Sequence, residues 1–123
     1  MPYITDRKRA SGLGSAKRGT EKHWQMSLSS AALVVLVVLF IFTFGGALGM
    51  GYEEAVVYYH RPFPAIVALL TIAVGLLHFR GGVQILIDDY TRGLTRKALI
   101  VGTACLSYAA LAAGVFAIAR LAL

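Results

Sequence analysis

The sequence has few charged residues, and long stretches of it have none. Of its 123 residues, 6 are Asp or Glu and 12 are Lys or Arg, while 58% are hydrophobic. No charged side chain lies within 23–52 or 98–119, and Arg80 carries the one full charge within 62–87. A soluble domain of this length carries more charge, so the composition excludes that class and predicts a protein of the bilayer.

Three apolar stretches are long enough to cross a membrane. A transmembrane helix needs roughly 20 apolar residues, and we predict spans at about 26–47, 63–87 and 98–120. Because lipid offers no hydrogen bonds to the backbone and three segments cannot close a barrel, each span is predicted to be a helix. The predicted fold class is all-α: a three-helix integral membrane anchor, residues 26–123, after a basic cytoplasmic segment, residues 1–25. Three helices leave no room for a self-contained enzyme site, so partners are expected.

Cysteine is almost absent as well. Cys105, in the third span, is the single cysteine, which excludes an internal disulfide and a metal site built from thiolates. We interpret it as a small buried packing residue.

The net charge of +6 is divided unevenly between the two sides of the predicted membrane. Nine positive residues lie before the first span or between the second and third: Arg7, Lys8, Arg9, Lys17, Arg18, Lys22, Arg92, Arg96 and Lys97. On the other side there are two, Arg61 and Arg120. This is the positive-inside pattern, which places the N-terminus and the 88–97 loop in the cytoplasm and the C-terminus outside. It favours a membrane protein over a nucleic-acid-binding protein.

The N-terminal region has two possible interpretations. Residues 1–22 are polar and basic, so we expect them to become ordered only on a partner surface. A cleavable signal peptide is the alternative, but the first apolar run is longer than the ~7–15 residues usual for one. We therefore predict an uncleaved anchor.

The segment HFRGGVQILIDDY, residues 78–90, carries the side chains that could bind a cofactor or transfer a proton. A step of eleven residues is about three helical turns plus 20°, so Asp89 lies on the same face as His78, about 16 Å further along the axis. If the acids mark the cytoplasmic boundary, His78 lies near the middle of the bilayer. An ionisable ring at that depth is unfavourable unless it has a partner, and it indicates a functional site.

Glycines surround His78 on the helical projection. Gly75 and Gly82 lie about 60° and 40° to one side of it, and Gly81 about 60° to the other. A flat macrocycle could lie on that surface with its iron on the imidazole, which makes His78 a candidate axial ligand of haem. The alternative is that His78 hydrogen-bonds a neighbouring helix and the glycines only allow close packing. His23 and His60 lie too far away for a second ligand, which would have to come from another polypeptide.

Two acids and a phenol follow at the predicted cytoplasmic edge. A tyrosine can hydrogen-bond a quinone carbonyl and a carboxylate can relay protons from water, so Asp88, Asp89 and Tyr90 fit a quinone site. They fit equally well as helix-end acids and an interfacial tyrosine. Arg80 is about 200° from His78 and is expected to face away from it, either reaching the interface or pairing with a carboxylate of a partner.

The motif H-x3-G-x-Q-x4-D-Y, formed by His78, Gly82, Gln84, Asp89 and Tyr90, resembles that of the hydrophobic membrane anchor subunit of bacterial succinate dehydrogenase. The segments TDRKRASGLGSAKRGTEKHW and FAIARLAL are similar to alphaproteobacterial members of that family. The resemblance covers essentially the whole chain and implies a bacterial inner-membrane protein with its N-terminus in the cytoplasm and its C-terminus in the periplasm.

The resemblance also implies site roles, cofactors and partners. The chain would bind lipid and one haem b, shared with a cytochrome b556-type anchor subunit, with His78 as the ligand of the haem iron and Gly75 and Gly82 facing the haem. Tyr90 would hydrogen-bond ubiquinone and Asp89 would deliver protons to it. Flavin and iron–sulfur clusters would belong to the flavoprotein and iron–sulfur subunits. The chain would have no catalytic residue that acts alone.

Some features and alternatives stay outside this interpretation. Asp88 and Arg80 match no role implied by the resemblance. A structural or assembly protein without a cofactor is the first alternative function. A small multidrug-type transporter is the second, and it is disfavoured because both acids lie at a helix end.

Overall fold

The computed structural model describes residues 3–12 and 19–123, and these residues form helices without any strand. The all-α fold class is therefore confirmed. In chain order the helices are α1 (Asp6–Ser11), α2 (Gly19–Ala47), α3 (Tyr52–Tyr59), α4 (Pro62–Tyr90) and α5 (Gly93–Ala122).

Within the described residues, α2, α4 and α5 are long and apolar enough to cross a membrane. A helix of this length extends for about 43 Å, more than the ~30 Å of the hydrocarbon core. Each helix covers one predicted span and continues beyond it at one end or both.

Helix α4 is the central helix, because it packs against both α2 and α5. It also holds most of the buried apolar residues, among them Ala65, Val67 and Ala68. Small residues allow this close packing. At the α4–α5 contact, a Cβ added to Gly114 would lie 2.8 Å from Ile72 Cγ2, so glycine is needed for the observed approach.

At the end of the bundle away from the α4–α5 turn, the helices are joined through α3. The Tyr58 hydroxyl donates to the carbonyl of Thr43, at 3.0 Å, and so links α3 to α2. His60, which follows α3, has its Nδ1 3.2 Å from the carbonyl oxygen of Ala122 in α5. Burial and the neighbouring Tyr58 raise the pKa of Tyr59 above its ordinary value. Helix α3 and His60 are thus held against the bundle.

The N-terminal region is more helical than the sequence predicted. Thr5 accepts a hydrogen bond from the backbone N–H of Lys8 and begins α1, and residues 19–22 already belong to α2. A side-chain cap supplies one of the bonds that the first turn of a helix lacks. Residues 1–2 and 13–18, which include Lys17 and Arg18 of the predicted basic segment, lie outside the described residues.

The prediction that Cys105 is buried was wrong, because the side chain is exposed on α5. The buried position nearby is Ser107, two residues and about 200° further around the helix. The Ser107 side of α5 packs on α4, so Cys105 faces away from the chain's own core.

Candidate functional site

A cleft lies between the N-terminal half of α2 and the C-terminal half of α4. Its volume is about 580 Å³. Its apolar lining comes from Met26, Leu28, Ala32, Val74, Leu77 and Ile85. Its other lining residues are Lys22, Gln25, Ser29, His78, Arg80, Gly81 and Gln84. The cleft thus combines apolar walls with a few polar groups, as sites for small molecules and cofactors usually do.

His78 is half-buried in this cleft and is held by α2. Its Nδ1 lies 2.8 Å from the hydroxyl oxygen of Ser29. Its Nε2 makes no hydrogen bond within residues 3–12 and 19–123. One ring nitrogen is therefore fixed by the neighbouring helix, and the other is available to a ligand.

The glycine surface around His78 lies against α2. A Cβ added to Gly81 would lie 2.7 Å from Met26 Sδ, and one added to Gly82 would lie 3.9 Å from Met26 Cε. A Cβ at Gly75 would lie 4.0 Å from Leu33 Cδ2. These contacts support close helix packing, the alternative that the sequence left open. The haem-facing role of Gly75 and Gly82 remains a prediction, whereas Gly81 lines the cleft directly.

Arg80 pairs with the third long helix. Its Nη1 donates to the hydroxyl of Tyr108 at 2.5 Å, and its guanidinium carbon lies 4.8 Å from the centre of that ring. The guanidinium thus points away from His78, but atoms of the side chain also line the cleft. Tyr108 could not be chosen as the partner from the sequence, because the two residues are 28 positions apart and no motif relates them.

The three polar residues at the end of α4 have different surroundings. Asp88 accepts from Arg96 Nε at 2.7 Å, an ion pair between the end of α4 and the start of α5. Asp89 is exposed, and Tyr90 is 81% exposed. Asp89 and Tyr90 lie about three helical turns, roughly 16–18 Å, beyond His78 and do not line its cleft. A pocket for a quinone at this end would therefore need walls from other subunits.

Comparison with known proteins gives a consistent result along the whole chain. The profile of the family described as "Succinate dehydrogenase/Fumarate reductase transmembrane subunit" matches residues 1–119. The chain is 47% identical over 123 residues to the "Succinate dehydrogenase hydrophobic membrane anchor subunit" of Paracoccus denitrificans, which covers 100% of this chain and 95% of the relative. The chain belongs to this family. No solved structure matches it significantly.

Family membership and the three long helices make the chain a multi-pass membrane anchor subunit of the succinate dehydrogenase/fumarate reductase type. An anchor subunit works within a complex, so surface that is exposed in the single chain is available to other subunits as well as to lipid. The resemblance predicted from the 78–90 motif is confirmed.

The other two histidines of the anchor subunit lie away from the cleft. His23 is exposed near the start of α2, and His60 contacts Ala122 at the opposite end of the bundle. No cluster of three or more His, Cys, Asp or Glu suited to a metal ion occurs in the part of the chain that the structure describes. His78 is the histidine that the fold places in a cleft within a span.

Sequence reasoning singled out His78 but missed Ser29. A serine within an apolar helix is common, and the 49 positions between the two residues give no local pattern that pairs them. Gln84 belongs to the recognised motif, and the structure places it on the cleft wall with His78. The six-residue step from His78 to Gln84 thus stays within the cleft, whereas the eleven-residue step to Asp89 reaches the exposed end of the helix.

Proposed function

We propose that this anchor subunit supplies His78 as one axial ligand of a b-type haem and supplies Tyr90 and Asp89 to a ubiquinone-reduction site. The observation that carries the proposal is the half-buried imidazole of His78 in the α2–α4 cleft. Ser29 lies 2.8 Å from its Nδ1, which leaves Nε2 for a metal. Histidines that bind metals usually have a hydrogen-bond partner on the second ring nitrogen.

The cleft fits a haem in chemistry and in size. Its volume of about 580 Å³ falls within the ~300–1,000 Å³ range of ligand pockets. His78 would hold the iron, with Leu28, Leu77 and Ile85 of the walls against the macrocycle. When bound, the haem would supply reversible one-electron chemistry.

A second axial ligand would come from a partner anchor subunit. His60 precedes α4, and His78 lies 16 residues after the first residue of that helix, about 24 Å along its axis. One iron cannot bind both rings. Leu28 is 72% exposed and Ile85 is 50% exposed beside the cleft, so this side of the chain offers apolar surface to a partner helix. The partner would complete both the ligand set and the walls.

The end of α4 has side chains suited to binding a quinone, the proposed acceptor of the electrons. The Tyr90 hydroxyl would donate a hydrogen bond to a quinone carbonyl, and the Asp89 carboxylate would pass a proton from cytoplasmic water to the reduced quinone. Both side chains are exposed, so they can reach a substrate enclosed by other subunits. Proton transfer needs a group within hydrogen-bond reach of the acceptor, or one water away.

The distribution of charge supports one orientation. Arg92, Arg96 and Lys97 follow the end of α4, at the same end of the bundle as Lys22. The positive-inside pattern supports a cytoplasmic location for this end, and we propose the bacterial inner membrane as the location. The iron–sulfur and flavoprotein subunits would then dock at the cytoplasmic end, close to Asp89 and Tyr90.

A spectrum of the purified complex tests the proposal. The complex is isolated through an affinity tag on this chain, and its reduced-minus-oxidised absorption spectrum and flavin content are recorded. We expect a b-type haem signal and a co-purifying flavoprotein. The absence of a haem band from complexes that contain flavin would contradict the haem site. That result would support the alternative of an anchor without a cofactor, in which the Ser29–His78 bond only joins two helices.

A further inference from the structure

The hydroxyl of Ser29 lies between the backbone of its own helix and the ring of His78. Its oxygen is 2.8 Å from the carbonyl oxygen of Gln25, 3.0 Å from that of Met26 and 2.8 Å from His78 Nδ1. The carbonyls can only accept hydrogen bonds, and the hydroxyl has one hydrogen. Serines within helices commonly donate that hydrogen to the carbonyl one turn back. The Ser29 oxygen is then free to accept a hydrogen bond from Nδ1–H.

This arrangement selects one form of the imidazole. A neutral imidazole carries one N–H, and placing it on Nδ1 leaves Nε2 with a lone pair, which is the form that binds a metal. We infer that Ser29 is the positioning residue that fixes this tautomer and the orientation of the His78 ring toward the cleft. The inference rests on the proposed function, because it concerns His78 as the ligand of haem iron.

The packing of α2 explains how Ser29 comes within reach. Met26, one turn before Ser29, lies against Gly81, where even an added Cβ would be only 2.7 Å from Sδ. Gly81 is on the next turn of α4 after His78. The absence of a side chain at Gly81 thus leaves room for Met26 where the two helices meet, next to the 2.8 Å contact between Ser29 and His78.

The bond also has an electronic consequence for a bound iron. A hydrogen-bond acceptor on Nδ1–H makes the imidazole a stronger electron donor. A stronger donor favours ferric over ferrous iron, so it lowers the midpoint potential. Second-shell hydrogen bonding is one of the main ways in which a protein tunes a haem. Loss of the Ser29 hydroxyl should therefore move the potential in the positive direction.

Ser30 provides a matched control. It is the same residue type at the next position, and its hydroxyl donates to the carbonyl of Met26 at 2.9 Å. Its side chain is exposed and has no bond to His78 in the described residues. Ser30→Ala therefore removes a hydroxyl from α2 without touching the ring.

The experiment compares four complexes, purified whole from membranes: wild type, Ser29→Ala, Ser29→Thr and Ser30→Ala. The haem band is titrated against redox potential, and haem content is measured relative to flavin after dilution. Ser29→Ala is expected to shift the midpoint potential positively and to weaken haem retention by about 10- to 100-fold, the usual effect of losing such a partner. Ser29→Thr keeps the hydroxyl and, like Ser30→Ala, is expected to match the wild type.

The possible failures can be separated. A midpoint potential for Ser29→Ala equal to that of Ser30→Ala would overturn the role of Ser29. This holds even if haem content fell, because weaker packing can lower haem content, whereas the potential reports the hydrogen bond to the imidazole. If His78→Ala leaves the haem spectrum unchanged, the ligand assignment fails instead. If Ser29→Ala does not assemble, Ser29→Cys preserves the side-chain shape with a weaker acceptor. It should shift the potential in the same direction, and an unchanged potential would overturn the inference.

Discussion

Arg96 Nε lies 2.7 Å from Asp88 Oδ1 across the turn between α4 and α5. The next residue, Asp89, is exposed and makes no ion pair within the described ranges 3–12 and 19–123. The two adjacent acids therefore differ in what they can do. Asp88 is held by the fold of its own chain, whereas Asp89 is available to solvent, to a quinone or to another subunit.

This difference predicts that two amide substitutions affect the rate of quinone reduction differently. Asp89→Asn removes the proposed proton donor and should lower quinone reduction by about 10²- to 10⁴-fold, the usual contribution of a positioned acid or base. Asp88→Asn removes one partner of a partly exposed ion pair, which contributes about 0–1 kcal/mol to stability. It should leave quinone reduction close to the wild-type rate.

The measurement is succinate-dependent reduction of a ubiquinone analogue by purified complex, with reduction of a soluble dye as the control for the flavoprotein. Equal loss in the two variants would mean that the acids act through charge at the helix end. The specific role of Asp89 would then be wrong.

Tyr90→Phe tests the proposed hydrogen bond to the quinone carbonyl. The hydroxyl of an 81% exposed side chain contributes little to the fold of this chain, so assembly should be preserved. Quinone reduction should fall, with dye reduction largely unchanged, because the phenyl ring cannot hold the carbonyl oxygen. Tyr108→Phe is a matched control, since it removes another phenol of the same chain, the one that accepts from Arg80. An undiminished quinone rate in Tyr90→Phe would contradict the assignment.

The packing of α4 against α5 predicts a stability difference between two glycine substitutions on α5. A Cβ at Gly114 would lie 2.8 Å from Ile72 Cγ2, whereas one at Gly102 would meet no atom of the chain within 4 Å. Ile72 is branched and stiff, so Gly114→Ala should destabilise by about 1–3 kcal/mol. Gly102→Ala should be neutral, or stabilising by up to about 1 kcal/mol through helix propensity.

Thermal stability of the detergent-solubilised complex, followed by loss of dye-coupled activity, distinguishes the two glycine variants. Equal stability in Gly102→Ala and Gly114→Ala would show that α5 can move away from α4 without loss. The close contact would then contribute nothing measurable.

Much of the fold could be predicted because the bilayer restricts the alternatives. Long uncharged stretches must form helices in lipid, which was enough to predict α2, α4 and α5. Which face of each helix packs inward was harder to predict, as Cys105 shows. Nearly all positions in these spans are apolar, so the sequence has little amphipathic pattern to indicate the buried side.

The site could be predicted where one helix carries it, and not where two helices meet. His78, Asp89 and Tyr90 share α4, and helical periodicity together with the family resemblance singled them out. Ser29 and Tyr108 contact α4 from other helices, and no spacing within a single helix relates them to His78 or Arg80. The partner of Asp88 likewise lies on another helix: it is Arg96, in the first turn of α5.

The assignment of the haem ligand is tested most directly by substituting the histidines one at a time. The chain has three, His23, His60 and His78, and each is changed to alanine in a complex purified whole. The reduced-minus-oxidised spectrum is then recorded at equal flavin content. We predict that His78→Ala loses or alters the b-haem band, while His23→Ala and His60→Ala keep it. A wild-type spectrum and haem content in His78→Ala would contradict the account.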